Sequence, residues 1–355
     1  MPWRWFRTPA HRPPREAPRE APPQARPAGS ASRSGGGVGE VLSGEILRQV
    51  RRLEIRTRAV VTELFAGQYH SVFKGQGMEF AEVREYVPGD DIRLIDWNVT
   101  ARCGTPYIKK YVEERELTVF LAVDLSGSQG FGSAGRSKVE LAAEVAALIA
   151  FSAINNQDKV GLLTFTDRPE LLIPPRKGRS HGLRLIREIL YGRPEGRGTD
   201  LAAACETALH ALRRRSVLFL LSDFQVPLAG LEPALGVLAR KHDLIALEVR
   251  DPAEEGVRRA APGSPGTSSG EAASGWPAIG LVAWEDPETG RRMLFDTSDP
   301  SARRGLQSRF ADLRGEFHAL LKRQRIDRVT LRVGEDPVEP LLAFFKLRER
   351  RLARE

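Results

Sequence analysis

Asp124, Ser126 and Ser128 alternate along Asp-Leu-Ser-Gly-Ser, and their oxygens are the first candidates for chemistry in this chain. Alternate side chains of an extended segment point to one side, so a carboxylate and two hydroxyls can converge on one point. Hard oxygen donors suit Mg²⁺ or Mn²⁺, and no nitrogen or sulfur ligand stands nearby. Two further oxygens belong to the same search. Thr199 lies in Gly-Arg-Gly-Thr-Asp-Leu (196–201), and Asp223 follows the apolar run 216–222. Each has a plainer explanation, because Asp and Ser are common turn residues and Thr199 stands where a helix over 202–212 needs its N-cap.

What decides between these readings is the elements that carry the residues. Residues 117–123 are apolar except for Thr118, as expected of a parallel strand buried on both faces. In open α/β sheets ligands gather at the carboxyl ends of such strands, and Asp124 sits at one. Asp223 closes a second run of the same kind. Two strand-end aspartates imply adjacent central strands and one shared crevice, with Asp124 facing solvent. The remaining pattern alternates helix and strand: a buried helix over 138–155, a strand over 159–165, and a short partner over 170–173. Helices over 183–190 and 228–240 and a strand over 244–249 follow. This βαβ alternation predicts an α/β fold with a mostly parallel sheet flanked by helices.

Around that body the chain is less regular. Residues 1–40 are rich in Pro, Arg, Ala, Gly and Ser without periodicity and read as a disordered tail. The tail holds seven basic and three acidic residues, a net +4, which is half of the chain's +8. The rest is nearly balanced, which argues against a nucleic-acid-binding face. Residues 41–116 read as an accessory segment packed on the main domain. It opens with an amphipathic helix over 44–65 whose apolar stripe includes Ile46, Leu47, Val50, Leu53 and Ile55. The main domain spans 117–335 and contains a disordered insertion near 252–275. A hairpin over 278–284 and 291–295 follows, with Asp286-Pro287-Glu288-Thr289-Gly290 at its turn. A helix over 303–324, a strand over 326–333 and a C-terminal helix within 336–355 complete the chain.

The two cysteines, Cys103 and Cys205, are too few for a disulfide framework, and Cys205 falls in a helical pattern where a buried thiol is expected. No apolar run approaches the roughly 18–20 residues that cross a bilayer, and no early segment has the form of a secretory signal. The expected compartment is the cytoplasm.

Asp124, Ser126, Ser128, Thr199 and Asp223 resemble, in order, the metal-ion-dependent adhesion site of von Willebrand factor A domains. A second signature precedes them: Glu79-Phe80, Arg84-x-Tyr86, Pro88-Gly89-Asp90-Asp91-x-Arg93, Ile95-Asp96-Trp97 and Ala101-Arg102. This stretch is similar to the one that precedes the A-like domain in the bacterial family called domain of unknown function fifty-eight. The resemblance implies a von Willebrand factor A-like, Rossmann-like sheet and a site for Mg²⁺ (or Mn²⁺). It also implies a partner protein whose carboxylate fills the open coordination position, and adaptor or co-chaperone work beside a MoxR-type AAA ATPase in protein assembly or maturation.

The leading expectation is therefore a non-enzymatic, cation-dependent protein-interaction module, with no nucleic acid and no transmembrane segment. The alternative is a phosphatase or phosphoacceptor enzyme with Asp124 as nucleophile. The haloacid-dehalogenase pattern wants a second Asp where this chain has Ser126, and a receiver domain wants an acidic pair at an earlier strand end. The six histidines are scattered and form no order with Ser and Asp.

Overall fold

The apolar runs that end at Asp124 and Asp223 become neighbouring strands at the middle of a six-stranded sheet. The structure is a computed structural model and describes residues 50–57, 69, 72–73, 79–112, 117–133, 135–228, 230–254, 257–258, 273–274 and 280–354. Its strands in chain order are β1 (Glu79–Glu85), β2 (Tyr107–Val112), β3 (Thr118–Asp124), β4 (Lys159–Phe165), β5 (Pro169–Arg176) and β6 (Val217–Ser222). They continue with β7 (Asp243–Arg250), β8 (Val257–Arg258), β9 (Ala273–Ser274), β10 (Leu281–Glu285), β11 (Arg292–Asp296) and β12 (Asp327–Arg332). The main sheet has the order β12-β7-β6-β3-β4-β5; only β5 runs antiparallel to its neighbour. The expected α/β architecture, a mostly parallel sheet flanked by helices, is the one observed.

Period-two alternation splits β3 between two cores. Val119, Leu121 and Val123 face one of them, with the buried helix Lys138–Asn155, the helix Arg179–Tyr191 and the C-terminal helix Val338–Leu352. Phe120 and Ala122 face the other, with the helices Leu201–Ala211, Leu231–Lys241 and Pro300–Arg323. Both faces of β3 are thus covered, so its sequence is a continuous apolar run and not an alternating one. Truncating Leu121 to Ala there would cost about 2–5 kcal/mol, since a close-packed core refills such a hole only in part.

Residues 79–112 form a small antiparallel pair, β1 with β2, bridged by the helix Trp97–Cys103. Its turn is set by Asp90, which accepts from the Val87 N–H at 2.9 Å and pairs with Arg84 at 2.7 Å, while Gly89 takes the positive φ of 111°. Asp96 caps the helix through the N–H groups of Asn98 and Val99 and pairs with Lys109. Val50, Tyr69, Val72 and Phe73 are buried in the core on the Val119 face, and the rings of Phe73 and Phe219 meet edge to face at 6.0 Å.

One expectation needs correction here. Ile55 is not on the buried stripe of its helix but 71% exposed; the buried side of 50–57 is Val50, Glu54 and Thr57. Next to the insertion near 252–275, Asp251 accepts from the Ala253 N–H and closes a turn through Glu254, while residues 255–256, 259–272 and 275 lie outside the described residues. β8 and β9 pair within it. The tail 1–40 and the parts of 44–65 outside 50–57 lie outside the described residues. No helix among the described residues is long and apolar enough to cross a membrane.

Candidate functional site

Parallel pairing of β3 with β6 sets Val123 opposite Leu221, which brings Asp124 beside Ser222 and leaves Asp223 one residue further along. Asp124 is 1% exposed, not solvent-facing. Its Oδ1 accepts from the Ser126 N–H at 2.8 Å and its Oδ2 from the Ser222 hydroxyl at 2.6 Å. Burial and the neighbouring charge of Asp223 push the Asp124 carboxyl up to about 7. Ser126 Oγ and Ser128 Oγ lie 3.2 Å apart, so the two hydroxyls of the loop do converge.

Asp223 is aimed by a strained turn. Phe224, immediately after it, adopts φ 53°, a left-handed conformation that costs a bulky residue of order 1–3 kcal/mol. Stacking of its ring on Phe317 at 4.2 Å and the bond from its N–H to Ser222 Oγ at 3.1 Å hold it there. Asp223 Oδ2 then meets Lys138 Nζ at 2.7 Å, and the same ammonium meets Glu254 Oε1 at 2.6 Å.

Thr199 comes from a different direction. Asp200, not Thr199, caps the helix Leu201–Ala211, because its carboxylate accepts from the Ala203 N–H at 2.9 Å. The loop before it is fastened to β5: Glu170 accepts from the Thr166 hydroxyl at 2.6 Å and from the N–H groups of Gly196 at 2.8 Å and Glu195 at 3.1 Å. The Gly127 N–H donates to the Arg197 carbonyl at 2.8 Å and ties this loop to the Asp124–Ser128 loop. Released from capping, the Thr199 hydroxyl donates to Glu288 Oε1 at 2.7 Å.

All five residues singled out by sequence therefore border one region at the carboxyl ends of β3 and β6. Sequence reasoning missed Lys138, Glu254, Glu288, Glu170 and Ser222. Lys138 carried a signal: it opens a helix, where a cation opposes the macrodipole, so its presence needs another cause. Glu254 and Glu288 carried none, because each arrives from a loop distant in sequence.

The donor set is compatible with a hard divalent cation. It consists of oxygens only, the hydroxyls of Ser126 and Ser128 retain lone pairs, and the carboxylates of Asp223 and Glu254 share a single lysine. Among the described residues, however, no group of three or more His, Cys, Asp or Glu side chains is arranged as a metal cluster. A cation here would rest on hydroxyls more than on carboxylates.

Comparison with known proteins gives uncharacterized sequence relatives and distantly similar solved structures. Uncharacterized protein Rv1480 of Mycobacterium tuberculosis is 29% identical over 314 residues, which cover 88% of this chain and 92% of that protein. Among solved structures, the conserved hypothetical protein BatB from Bacteroides thetaiotaomicron aligns over 66% of this chain and 99% of its own, with 14% identity and a TM-score of 0.41. The von Willebrand factor domain of the pilus tip protein Mfa5 from Porphyromonas gingivalis aligns over 67% and 95%, with 12% identity and a TM-score of 0.31. The family model described as protein of unknown function DUF58 matches residues 82–260, half of the chain and all of β3 to β7. By that match the chain belongs to the DUF58 family.

Proposed function

We propose that this chain is a cation-dependent protein-binding module and not an enzyme. The observation that supports it most is the meeting of Asp124, Ser126 and Ser128 with Asp223 at the ends of adjacent parallel strands, with Thr199 brought in by the Glu170-anchored loop. The hydroxyls of Ser126, Ser128 and Thr199 would hold Mg²⁺ or Mn²⁺, while Asp124 and Asp223 supply charge. Bound there, such an ion offers an electrophilic position to a carboxylate of another protein. The resemblance to adhesion-site domains extends the proposal to an adaptor or co-chaperone in the cytoplasm, beside a MoxR-type AAA ATPase.

The competing reading makes Asp124 a nucleophile toward phosphoesters. Both of its oxygens already accept hydrogen bonds, and a carboxyl pushed up to about 7 is partly protonated at neutral pH, which lowers its strength as a nucleophile. The test is a pull-down with the full chain as bait, in Mg²⁺ and in EDTA, read by mass spectrometry. A partner retained in Mg²⁺ and lost both in EDTA and with Asp124→Asn is expected. Capture indifferent to both changes removes the cation from the proposal, and phosphate release from a model phosphoester that disappears in Asp124→Asn moves the function to catalysis.

A further inference from the structure

The hairpin of β10 and β11 presses its turn onto the candidate cation site. The Thr199 hydroxyl donates to Glu288 Oε1 at 2.7 Å, and the carboxylates of Glu288 and Asp223 are close enough to repel. A Cβ on Gly127, inside the Asp124–Ser128 loop, would lie 2.3 Å from the Pro287 carbonyl oxygen. Only glycine at 127 lets the turn approach so near.

The turn is also built to hold its shape. Asp286 accepts from the N–H of Glu288 at 3.0 Å and from the hydroxyl of Thr289 at 2.6 Å, and Gly290 takes φ 68° while its N–H reaches the Asp286 carbonyl at 2.8 Å. A rigid turn that holds a half-buried carboxylate near other carboxylates is unfavourable by itself. Nothing in the stability of the hairpin requires an acid at 288, since its strands pair independently of it.

We propose that Glu288 is a ligand the chain supplies to its own cation, so that the 286–290 turn closes over the site when the ion is bound. This rests on the cation reading above. Under it, Glu288 adds its negative charge to that of Asp124 and Asp223, and an outside acidic group reaches the ion only by displacing it.

The experiment is Mn²⁺ titration of the full chain, followed by water-proton relaxation, for the natural sequence and for Glu288→Gln, Glu288→Ala and Asp124→Asn. The relaxation enhancement per bound ion counts exchangeable waters on the manganese. Glu288→Gln retains an oxygen to accept from Thr199 and keeps the turn in place, so it separates charge from structure. The expected result is low enhancement in the natural chain, with higher enhancement and about tenfold or greater loss of affinity in Glu288→Ala. An intermediate loss is expected for Glu288→Gln. Equal affinity and equal enhancement in the natural chain and both Glu288 variants would overturn the role of Glu288 and leave the site standing. Tighter binding by Glu288→Ala would overturn it as well, by making the turn an obstacle. Failure of the natural chain to bind Mn²⁺, or binding indifferent to Asp124→Asn, would remove the underlying site and the proposal with it.

Discussion

Lys138 Nζ lies 2.7 Å from Asp223 Oδ2, and neither side chain has appreciable contact with water. Burial opposes the lysine's charge, but Asp223 and Glu254 outweigh it and hold its pKa above the ordinary value. The carboxylates need that charge as much as it needs them. Breaking a buried pair from one side leaves an uncompensated ion, at a cost of about 3–5 kcal/mol. Lys138→Met should therefore lower the unfolding free energy by about that much in EDTA, measured by denaturant titration. Mg²⁺ should restore more stability to this variant than to the natural chain, because an ion can replace the missing positive charge. A loss under about 1 kcal/mol would show that the pair is solvated in solution.

Asp124 makes stability depend on pH in the unusual direction. Its folded carboxyl is pushed up to about 7 from the ordinary value of 3.8, so between these values the folded chain binds the extra proton. The stability this group contributes is full below about pH 4 and is lost as pH rises through about 7, by at most about 4 kcal/mol. Carboxylates such as Asp90 and Glu248, whose pKa values are lowered, act oppositely, so the readout is a difference. In EDTA, the natural chain should lose stability relative to Asp124→Asn between about pH 4 and 7. An asparagine can keep both contacts, accepting from Ser126 and donating to Ser222. Parallel pH curves for the two proteins would contradict the burial of this charge.

How far the sequence foretold this arrangement depends on the range of the interactions. The strand ends at Asp124 and Asp223 were legible because an apolar run stopping at a carboxylate is a local pattern, and parallel pairing then makes them neighbours. The hairpin turn was legible from Gly290, whose φ of 68° few other residues tolerate. For Thr199 the sequence offers helix capping as the plainer alternative to a ligand role, because a hydroxyl before a helix usually caps it; the adjacent Asp200 takes that bond instead. Ile55 was misplaced because its apolar spacing does not say which edge of the stripe faces the core. Lys138, Glu254 and Glu288 enter the site through contacts that span 85, 116 and 89 residues, and no local pattern names those partners.

The two cysteines should react very differently. Cys103 is exposed at the end of a short helix, whereas Cys205 is buried in the helix Leu201–Ala211, where burial first and then Asp200 and Glu206 push its thiol up to about 12. The thiolate is the reactive form, so Cys205 is both hidden and unreactive. Titration of the folded chain with a thiol reagent at pH 8 should modify one cysteine, identified as Cys103 by peptide mapping, and two in denaturant. Rapid modification of Cys205 in the folded chain would mean that its helix opens readily.

Glu170 offers a way to loosen the site without touching any residue that borders it. Its carboxylate accepts from Thr166, Glu195 and Gly196, and these bonds favour the ionised form against the cost of burial. In Glu170→Gln the amide nitrogen cannot accept, so at least one backbone N–H of the 195–196 loop loses its partner. Hydrogen bonds to a charged acceptor contribute about 1.5–3 kcal/mol, and the loop carrying Thr199 should open correspondingly more often. Amide exchange at Glu195 and Gly196 should accelerate at least about tenfold, while exchange within β3 and β6 stays slow. Cation affinity should fall although Ser126, Ser128, Asp124 and Asp223 are untouched, because Thr199 and Gly127 are tied to that loop through Arg197. Faster exchange with unchanged affinity would show that Thr199 is not needed to hold the ion, and would reduce the site to the Asp124–Ser128 loop and Asp223.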